Sequence, residues 1–242
     1  MKTTERHRLK ENEIAHIVDH ALEVLGTNRR RVVGLLLIVL IVAGAAGGYW
    51  FWRAWINGKS GALLGDAMTI LDAPVAASAA GKPAPPGSYP TNTAKLEAAL
   101  AKFLVAAETY PKTNSGLLAR NQAAGLLVLL DRPAEAVKRY QEVMDLAGEG
   151  SIYYEMAQLG KVSSQAQASQ FDEAISTLQA LSAKKDGEVP PDAMHMQLGR
   201  VYLLAGKVTE ARQTFRRVLD EYPQSPFVTE AQREFDQLSD SS

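Results

Sequence analysis

The longest apolar stretch of the chain lies near its amino terminus. Residues 32–52 read VVGLLLIVLIVAGAAGGYWFW and contain no charged side chain. An α-helix rises about 1.5 Å per residue, so a helix of this length spans the roughly 30 Å hydrocarbon core of a bilayer. Buried helices of soluble proteins rarely lack a polar face in this way. The pattern therefore predicts a transmembrane helix at residues 32–52.

The residues that flank this stretch predict its orientation. Arg29, Arg30 and Arg31 precede it, and an aromatic group that includes Tyr49 and Trp50 closes it. Arginine clusters stay on the cytoplasmic side of a membrane, and aromatic rings favour the headgroup layer. We expect residues 1–31 in the cytoplasm and residues 53–242 across the membrane. A cleaved signal peptide is the alternative, but 31 residues precede the apolar stretch, which favours an uncleaved signal anchor.

A second apolar pattern, with a helical period, occupies residues 11–25 of the cytoplasmic segment. Such a stripe must cover a membrane surface, a partner or a copy of itself. The segment 1–31 carries five acidic residues, which favours a protein partner over anionic lipid. His16 and His20 are one helical turn apart, but no third ligand accompanies them, so we interpret them as solvated side chains rather than a metal site. The stripe consists of Ile14, Ile17, Val18, Ala21, Leu22 and Leu25.

The remainder of the chain is rich in alanine and repeats with a helical period. Alanines recur at intervals of 37, 38 and 37 residues, and a large apolar residue follows each of them four positions later. This spacing places both groups on one helical face, with the small residue where a neighbouring helix comes close. Prolines mark residues 73–93, which we predict to be a loop. The repeated pairs are Ala99 with Phe103, Ala136 with Tyr140, Ala174 with Leu178 and Ala211 with Phe215.

The last copy of the repeat carries the most complete pattern, and this pattern resembles the tetratricopeptide repeat, a helix-turn-helix unit of about 34 residues. The resemblance implies an all-α fold, in which the transmembrane helix is followed by an α-solenoid of such repeats at residues 53–242. Repeat arrays need a polar terminal helix, and we predict it at residues 226–238. The matching residues are Leu198, Gly199, Tyr202, Ala211, Phe215 and Pro223.

The order of the segments along the chain indicates a particular family of repeat proteins. A short cytoplasmic segment, one membrane helix and a divergent repeat array together resemble the YfgM-like proteins, ancillary subunits of the SecYEG translocon. The resemblance implies a single-pass protein of the bacterial inner membrane with a periplasmic domain. Its implied partners are translocon subunits, periplasmic chaperones and emerging secreted chains. Repeat proteins also act in envelope assembly, so a structural scaffold for envelope or outer-membrane assembly or for cell division is the alternative.

Composition excludes several classes of function. The chain has 26 Lys and Arg residues against 27 Asp and Glu residues, so no basic excess favours nucleic acid as a partner. It has no cysteine, which excludes disulfides, zinc-cysteine sites and a catalytic thiol. His195 is the sole histidine beyond the membrane segment, and we interpret it as a partly buried helix residue. We expect no enzymatic activity, no cofactor and no metal.

The expected function is therefore protein binding by a groove. The first helices of stacked helix pairs line a concave surface that holds peptides. Residues of those helices that we expect to point into the groove are Asn121, Tyr154, Gln158, Met196 and Arg200. Packing between repeats is the alternative for each of them.

Overall fold

The computed structural model describes residues 29–76, 85–182 and 190–240. These residues form nine α-helices and no strand, which confirms the all-α prediction. The predicted amphipathic helix at residues 11–25 lies outside the described residues. The chain divides into two compact units, Met1–Trp55 and Ile56–Ser242. The helices are α1 (Arg29–Leu71), α2 (Asn92–Thr109), α3 (Asn114–Leu129), α4 (Pro133–Ala147), α5 (Ile152–Gln167), α6 (Phe171–Ser182), α7 (Pro191–Leu204), α8 (Val208–Glu221) and α9 (Val228–Asp240).

Helix α1 contains the predicted apolar stretch and extends beyond it. By length and composition it can cross a membrane. Its most apolar segment of 18 residues has a mean hydropathy of 2.1, and none of this segment is buried. The helix ends at Leu71 and not at the end of the apolar stretch. Residues 56–71 belong to the second unit, where Ser60 and Ala67 are buried and Leu63 and Leu64 pack against the hydrophobic core.

The second unit is an array of paired helices. Successive helices from α2 to α9 pack against one another. We call α3, α5 and α7 the A helices, and α2, α4, α6 and α8, which carry the repeated alanines, the B helices. Side chains of Thr91, Thr113 and Ser151 accept hydrogen bonds from backbone amides of the first turns of α2, α3 and α5. Such caps satisfy amides that have no partner inside the helix.

The same turn joins each A helix to the following B helix. Asp131, Ser169 and Gly206 have φ angles of 58°, 60° and 71°. In each turn the next amide donates to the carbonyl five residues earlier, at 2.8 Å in all three cases. This is the Schellman arrangement, in which one left-handed residue ends a helix. The repeat predicted from the alanines is therefore also present in the backbone of the turns.

The predicted loop at 73–93 contains no helix in its described residues before Asn92. An isolated bridge pairs Val75 with Tyr89, and the Tyr89 amide donates to the Pro74 carbonyl at 2.9 Å. The Lys95 ammonium group donates to the Leu71 carbonyl at 3.0 Å and so satisfies the carboxyl end of α1. The terminal helix α9 begins at Val228, close to the predicted start at 226.

Two hydrophobic clusters form the core of the second unit, and α5 contributes to both. Ala157 of α5 belongs to the cluster formed by residues of α1 to α5, whereas Val162 and Ala166 belong to the cluster that extends to α9. The residues predicted to pack between repeats are all buried: Ala99, Phe103, Ala136, Tyr140, Ala174, Leu178, Leu198, Gly199, Tyr202, Ala211 and Phe215.

Candidate functional site

An open cavity of about 440 Å³ lies between the A helices α5 and α7. Its size is within the usual range of sites for small ligands or side chains, roughly 300–1,000 Å³. Its apolar part includes buried Val162, Met194 and Val201, with Leu178 of the B helix α6 between them. Its other lining residues include Leu159, Ser163, Gln167, Gln197, Arg200 and Leu204.

In the preceding pair of A helices, α3 and α5, a tyrosine ring occupies the position that corresponds to this cavity. A β-carbon at Gly160 of α5 would lie 2.5 Å from the ring carbon Cε1 of Tyr140, which is closer than real contacts allow. A β-carbon at Gly125 of α3 would lie 3.6 Å from the Tyr140 hydroxyl. The phenol of the B helix α4 therefore reaches the space between α3 and α5, and two glycines leave room for it. We call this arrangement the closed junction.

The repeat spacing identifies the residues that replace these three in the next junction. The repeat length is 38 residues from α3 to α5 and from α4 to α6, so Ser163 corresponds to Gly125 and Leu178 corresponds to Tyr140. The repeat length is 37 residues from α5 to α7, so Gln197 corresponds to Gly160. All three replacements line the cavity. We call this arrangement the open junction. The difference between the two junctions thus follows from three substitutions: the ring is lost and the glycines become larger residues.

Backbone packing agrees with this difference. Helix α3 packs closely against α5, whereas the backbones of α5 and α7 remain further apart over the described residues. Glycine at a contact lets two helices approach, and larger side chains hold them apart. The open junction therefore combines a wider separation of its A helices with a smaller residue beneath them.

The cavity is uncharged apart from one paired arginine. Arg200 forms an ion pair with Glu230 of α9, so its charge is compensated within the protein. The remaining lining residues are aliphatic side chains, a serine and two glutamines. Such a lining favours neutral ligands with apolar bodies, because burying an unpaired charge costs free energy. In the closed junction, burial raises the pKa of the Tyr140 phenol, which therefore remains neutral at physiological pH.

The five residues predicted to point into a groove have different environments. Arg200 lines the cavity. Met196 is 1% exposed and belongs to the second hydrophobic cluster, so it offers no surface to a ligand. Tyr154 is partly buried against the first cluster. Asn121 lies on α3, where its Oδ1 is buried without a hydrogen-bond partner. Gln158 is partly buried on α5 and is not among the lining residues of the cavity.

The lining residues of α5 begin at Leu159, one position after the predicted Gln158. Residues 159, 163 and 167 line the cavity, whereas residues 154 and 158 were predicted to do so. The sequence carries a signal for the observed register, because the spacing of the alanines maps the predicted Arg200 of α7 to Ser163 of α5, which lines the cavity. Met196 follows the alternative of packing between repeats, since it is buried in the second hydrophobic cluster, to which α9 also contributes.

A second cavity, of about 410 Å³, adjoins His195. The imidazole is 2% exposed, more buried than the sequence indicated, and its Nδ1 donates to the Pro191 carbonyl at 2.7 Å. The Tyr202 hydroxyl accepts a hydrogen bond from Gln179, and Arg217 forms an ion pair with Glu221. That pair lowers the pKa of the Glu221 carboxyl, chiefly through the hydrogen bond from Arg217. These polar side chains are therefore engaged in contacts within the protein.

No group of three or more acidic or histidine side chains that could hold a metal ion occurs in the part of the chain that the structure describes. His16 and His20 lie outside that part. The candidate site that the geometry supports is the open junction, a cavity lined by neutral side chains and by Arg200, which is paired with Glu230.

An array of helix pairs with an open surface along its A helices defines a class of solenoid proteins that bind other proteins. Residues 159–226 match the family model of the tetratricopeptide repeat. The match begins at Leu159 in α5 and ends at Pro226 before α9, so it contains the second half of α5 and the whole of α6, α7 and α8. Together with the all-helical architecture it supports a tetratricopeptide repeat protein. A search of curated proteins found no match to the chain.

Proposed function

We propose that this protein is a membrane-anchored adaptor that binds segments of partner proteins in the open junction. The observation that carries the proposal is the cavity between α5 and α7, which lies within the matched repeat segment and has an apolar floor. Repeats of this family generally mediate protein binding and are generally not enzymes, which supports an adaptor rather than a catalyst. Neither a cofactor nor nucleic acid is part of the proposal.

The anchor in this proposal is the apolar part of α1. Three arginines precede it and aromatic side chains close it, and its exposed surface is apolar. These features support an orientation with residues 1–31 in the cytoplasm and the repeat domain in the periplasm. Reporter fusions at residue 242 test this orientation. A periplasmic reporter enzyme should be active there, and activity of a cytoplasmic reporter would contradict it.

The finer proposal is an action beside the Sec translocon, where the adaptor would hold translocon subunits, periplasmic chaperones or emerging secreted chains. It rests on the resemblance of the architecture to the YfgM-like proteins. A photoreactive amino acid in place of Gln197, which is exposed and lines the cavity, should crosslink to translocon subunits or secreted chains. Ser176, which is exposed on the B helix α6, serves as the control position. Absence of both kinds of product from Gln197 would overturn the translocon role.

A further inference from the structure

One equivalent position of the four B helices holds an aromatic residue in three repeats and an aliphatic residue in the fourth. Phe103, Tyr140 and Phe215 occupy this position in α2, α4 and α8, and each is buried. Leu178 occupies it in α6, and the cavity of about 440 Å³ lies directly against Leu178. The repeat position that lacks an aromatic ring is thus the position that lies against the cavity between α5 and α7.

The closed junction shows what such a space holds when it is filled. There the Tyr140 phenol lies between Gly125 and Gly160, with the tyrosine 8% exposed. Aromatic rings bury a large area, about 150–250 Å² each, and contribute strongly to packing. In the open junction the corresponding space is bounded by Ser163 and Gln197, which supply a hydroxyl and an amide at the rim.

We propose that the open junction is a specific pocket for an aromatic side chain, tyrosine or phenylalanine, of the bound partner segment. The ligand's ring takes the place that the Tyr140 ring occupies in the closed junction. The inference rests on the proposed adaptor function and names the chemistry that its site selects. The partner's anchor residue is neutral, because the only charged side chain of the lining, Arg200, is paired with Glu230.

Small amides of single amino acids test the pocket without any knowledge of the partner. The chain contains no cysteine, so Ser163→Cys creates a unique thiol at the rim of the cavity. The measurement is the rate of alkylation of this thiol by iodoacetamide, on the full chain in detergent. The probes are N-acetyl-tyrosinamide, N-acetyl-phenylalaninamide, N-acetyl-leucinamide and N-acetyl-alaninamide. Single side chains bind with millimolar affinity at best, so each probe is used at about 10 mM.

We expect the two aromatic amides to slow alkylation about threefold, as a dissociation constant of about 5 mM requires, and the alanine amide to leave the rate unchanged. Ser176→Cys on the exposed side of α6 is the matched control, and none of the probes should protect it. Equal protection by the leucine amide would overturn the aromatic assignment while leaving the adaptor proposal intact. Protection by no probe would overturn the pocket itself, whereas crosslinking from Gln197 reports on the adaptor function separately.

A second variant fills the pocket from inside the protein. Leu178→Tyr, combined with Ser163→Cys, should slow alkylation without any probe and abolish protection by the aromatic amides. Thermal unfolding shows whether this variant is folded. Where it is not, saturation-transfer NMR of the unsubstituted chain replaces it, and the tyrosine amide should then receive stronger transfer at its ring protons than the leucine amide receives at its methyl groups. The reverse order would contradict the proposal.

Discussion

The two inter-repeat junctions around α5 share a backbone plan and differ in what fills them. In the closed junction a B-helix tyrosine reaches between two A-helix glycines, and α3 and α5 pack closely. In the open junction a leucine stands at the tyrosine position, serine and glutamine replace the glycines, and a cavity remains. A repeat protein can therefore open a cavity by changing three side chains, without changing its turns or its helix order.

The closed junction also has polar contacts on its first A helix. The first hydrophobic cluster unites α3, α4 and α5, and the buried Arg120 forms an ion pair with Glu142 and donates a hydrogen bond to the Ala107 carbonyl. Exposed leucines occur at equivalent positions of both junctions, since Leu129 of α3 is 69% exposed and Leu204 of α7 is 60% exposed. The two junctions therefore differ in what fills the space between their A helices and not in these leucines.

The largest effect is expected from a side chain added at the closed junction. In Gly160→Leu the new side chain clashes with the Tyr140 ring, and we expect the substitution to lower the free energy of unfolding by about 3 kcal/mol or more. The matched control is Gln197→Leu, at the corresponding position of the open junction. This variant should change the free energy of unfolding by no more than about 0.5 kcal/mol. Denaturant unfolding of the full chain in detergent measures both. Equal losses would mean that the two junctions do not differ in packing.

Removal of the ring should convert the closed junction towards the open one. Tyr140→Leu leaves a space between α3 and α5, and we expect it to cost about 2 kcal/mol. The new space is detected with Gly125→Cys, whose thiol lies near the Tyr140 hydroxyl. Iodoacetamide should react slowly with this thiol when Tyr140 is present and several-fold faster when it is leucine. An unchanged rate would show that the A helices collapse together and that the leucine alone does not open a cavity.

Much of this fold follows from sequence, and the open junction does not follow as directly. The alanine spacing predicts the B helices because a small residue must recur wherever helices come close, and Ala99, Ala136, Ala174 and Ala211 are all fully buried. The cavity depends on residues from three different helices, so no local pattern marks it. Gly160 illustrates the difficulty: the sequence places it beside Leu159 like Gly199 beside Leu198, yet it contacts Tyr140 of the preceding B helix, whereas Gly199 contacts Phe215 of the following one.

The length of α1 and the burial of Met196 are two further features that the sequence alone does not predict. Hydropathy marks the apolar part of α1, but it does not mark residues 56–71, where Ala67 and neighbouring leucines pack into the first hydrophobic cluster, which is a tertiary effect. Met196 looks like a groove residue when α7 is considered alone, and it is buried because further helices cover that face. In both cases the deciding partner is distant in sequence.

The turns should respond equally in the two junctions. Asp131 and Ser169 adopt left-handed backbone angles that glycine adopts without strain, as Gly206 does in the third turn. Asp131→Gly and Ser169→Gly should each raise the free energy of unfolding by about 0.5 kcal/mol, because relief of strain outweighs the added freedom of the unfolded chain. Gly206→Ala is the control in the opposite direction and should lower it by about 1 kcal/mol. If Asp131→Gly and Ser169→Gly changed the free energy of unfolding by clearly different amounts, the two junctions would differ in their turns as well as in their side chains.

The smallest effect concerns pH and belongs to the closed junction alone. Burial raises the pKa of the Tyr140 phenol in the folded protein, so the unfolded chain releases this proton at a lower pH than the folded chain. The contribution of the neutral phenol is therefore fully present below the unfolded pKa of about 10 and is lost as the pH rises through the folded value. We expect the stability of the unsubstituted chain to fall more steeply above pH 10 than that of Tyr140→Phe, which cannot ionise. Parallel curves for the two proteins would mean that the hydroxyl remains solvated between Gly125 and Gly160, and that the closed junction is more open than its packing indicates.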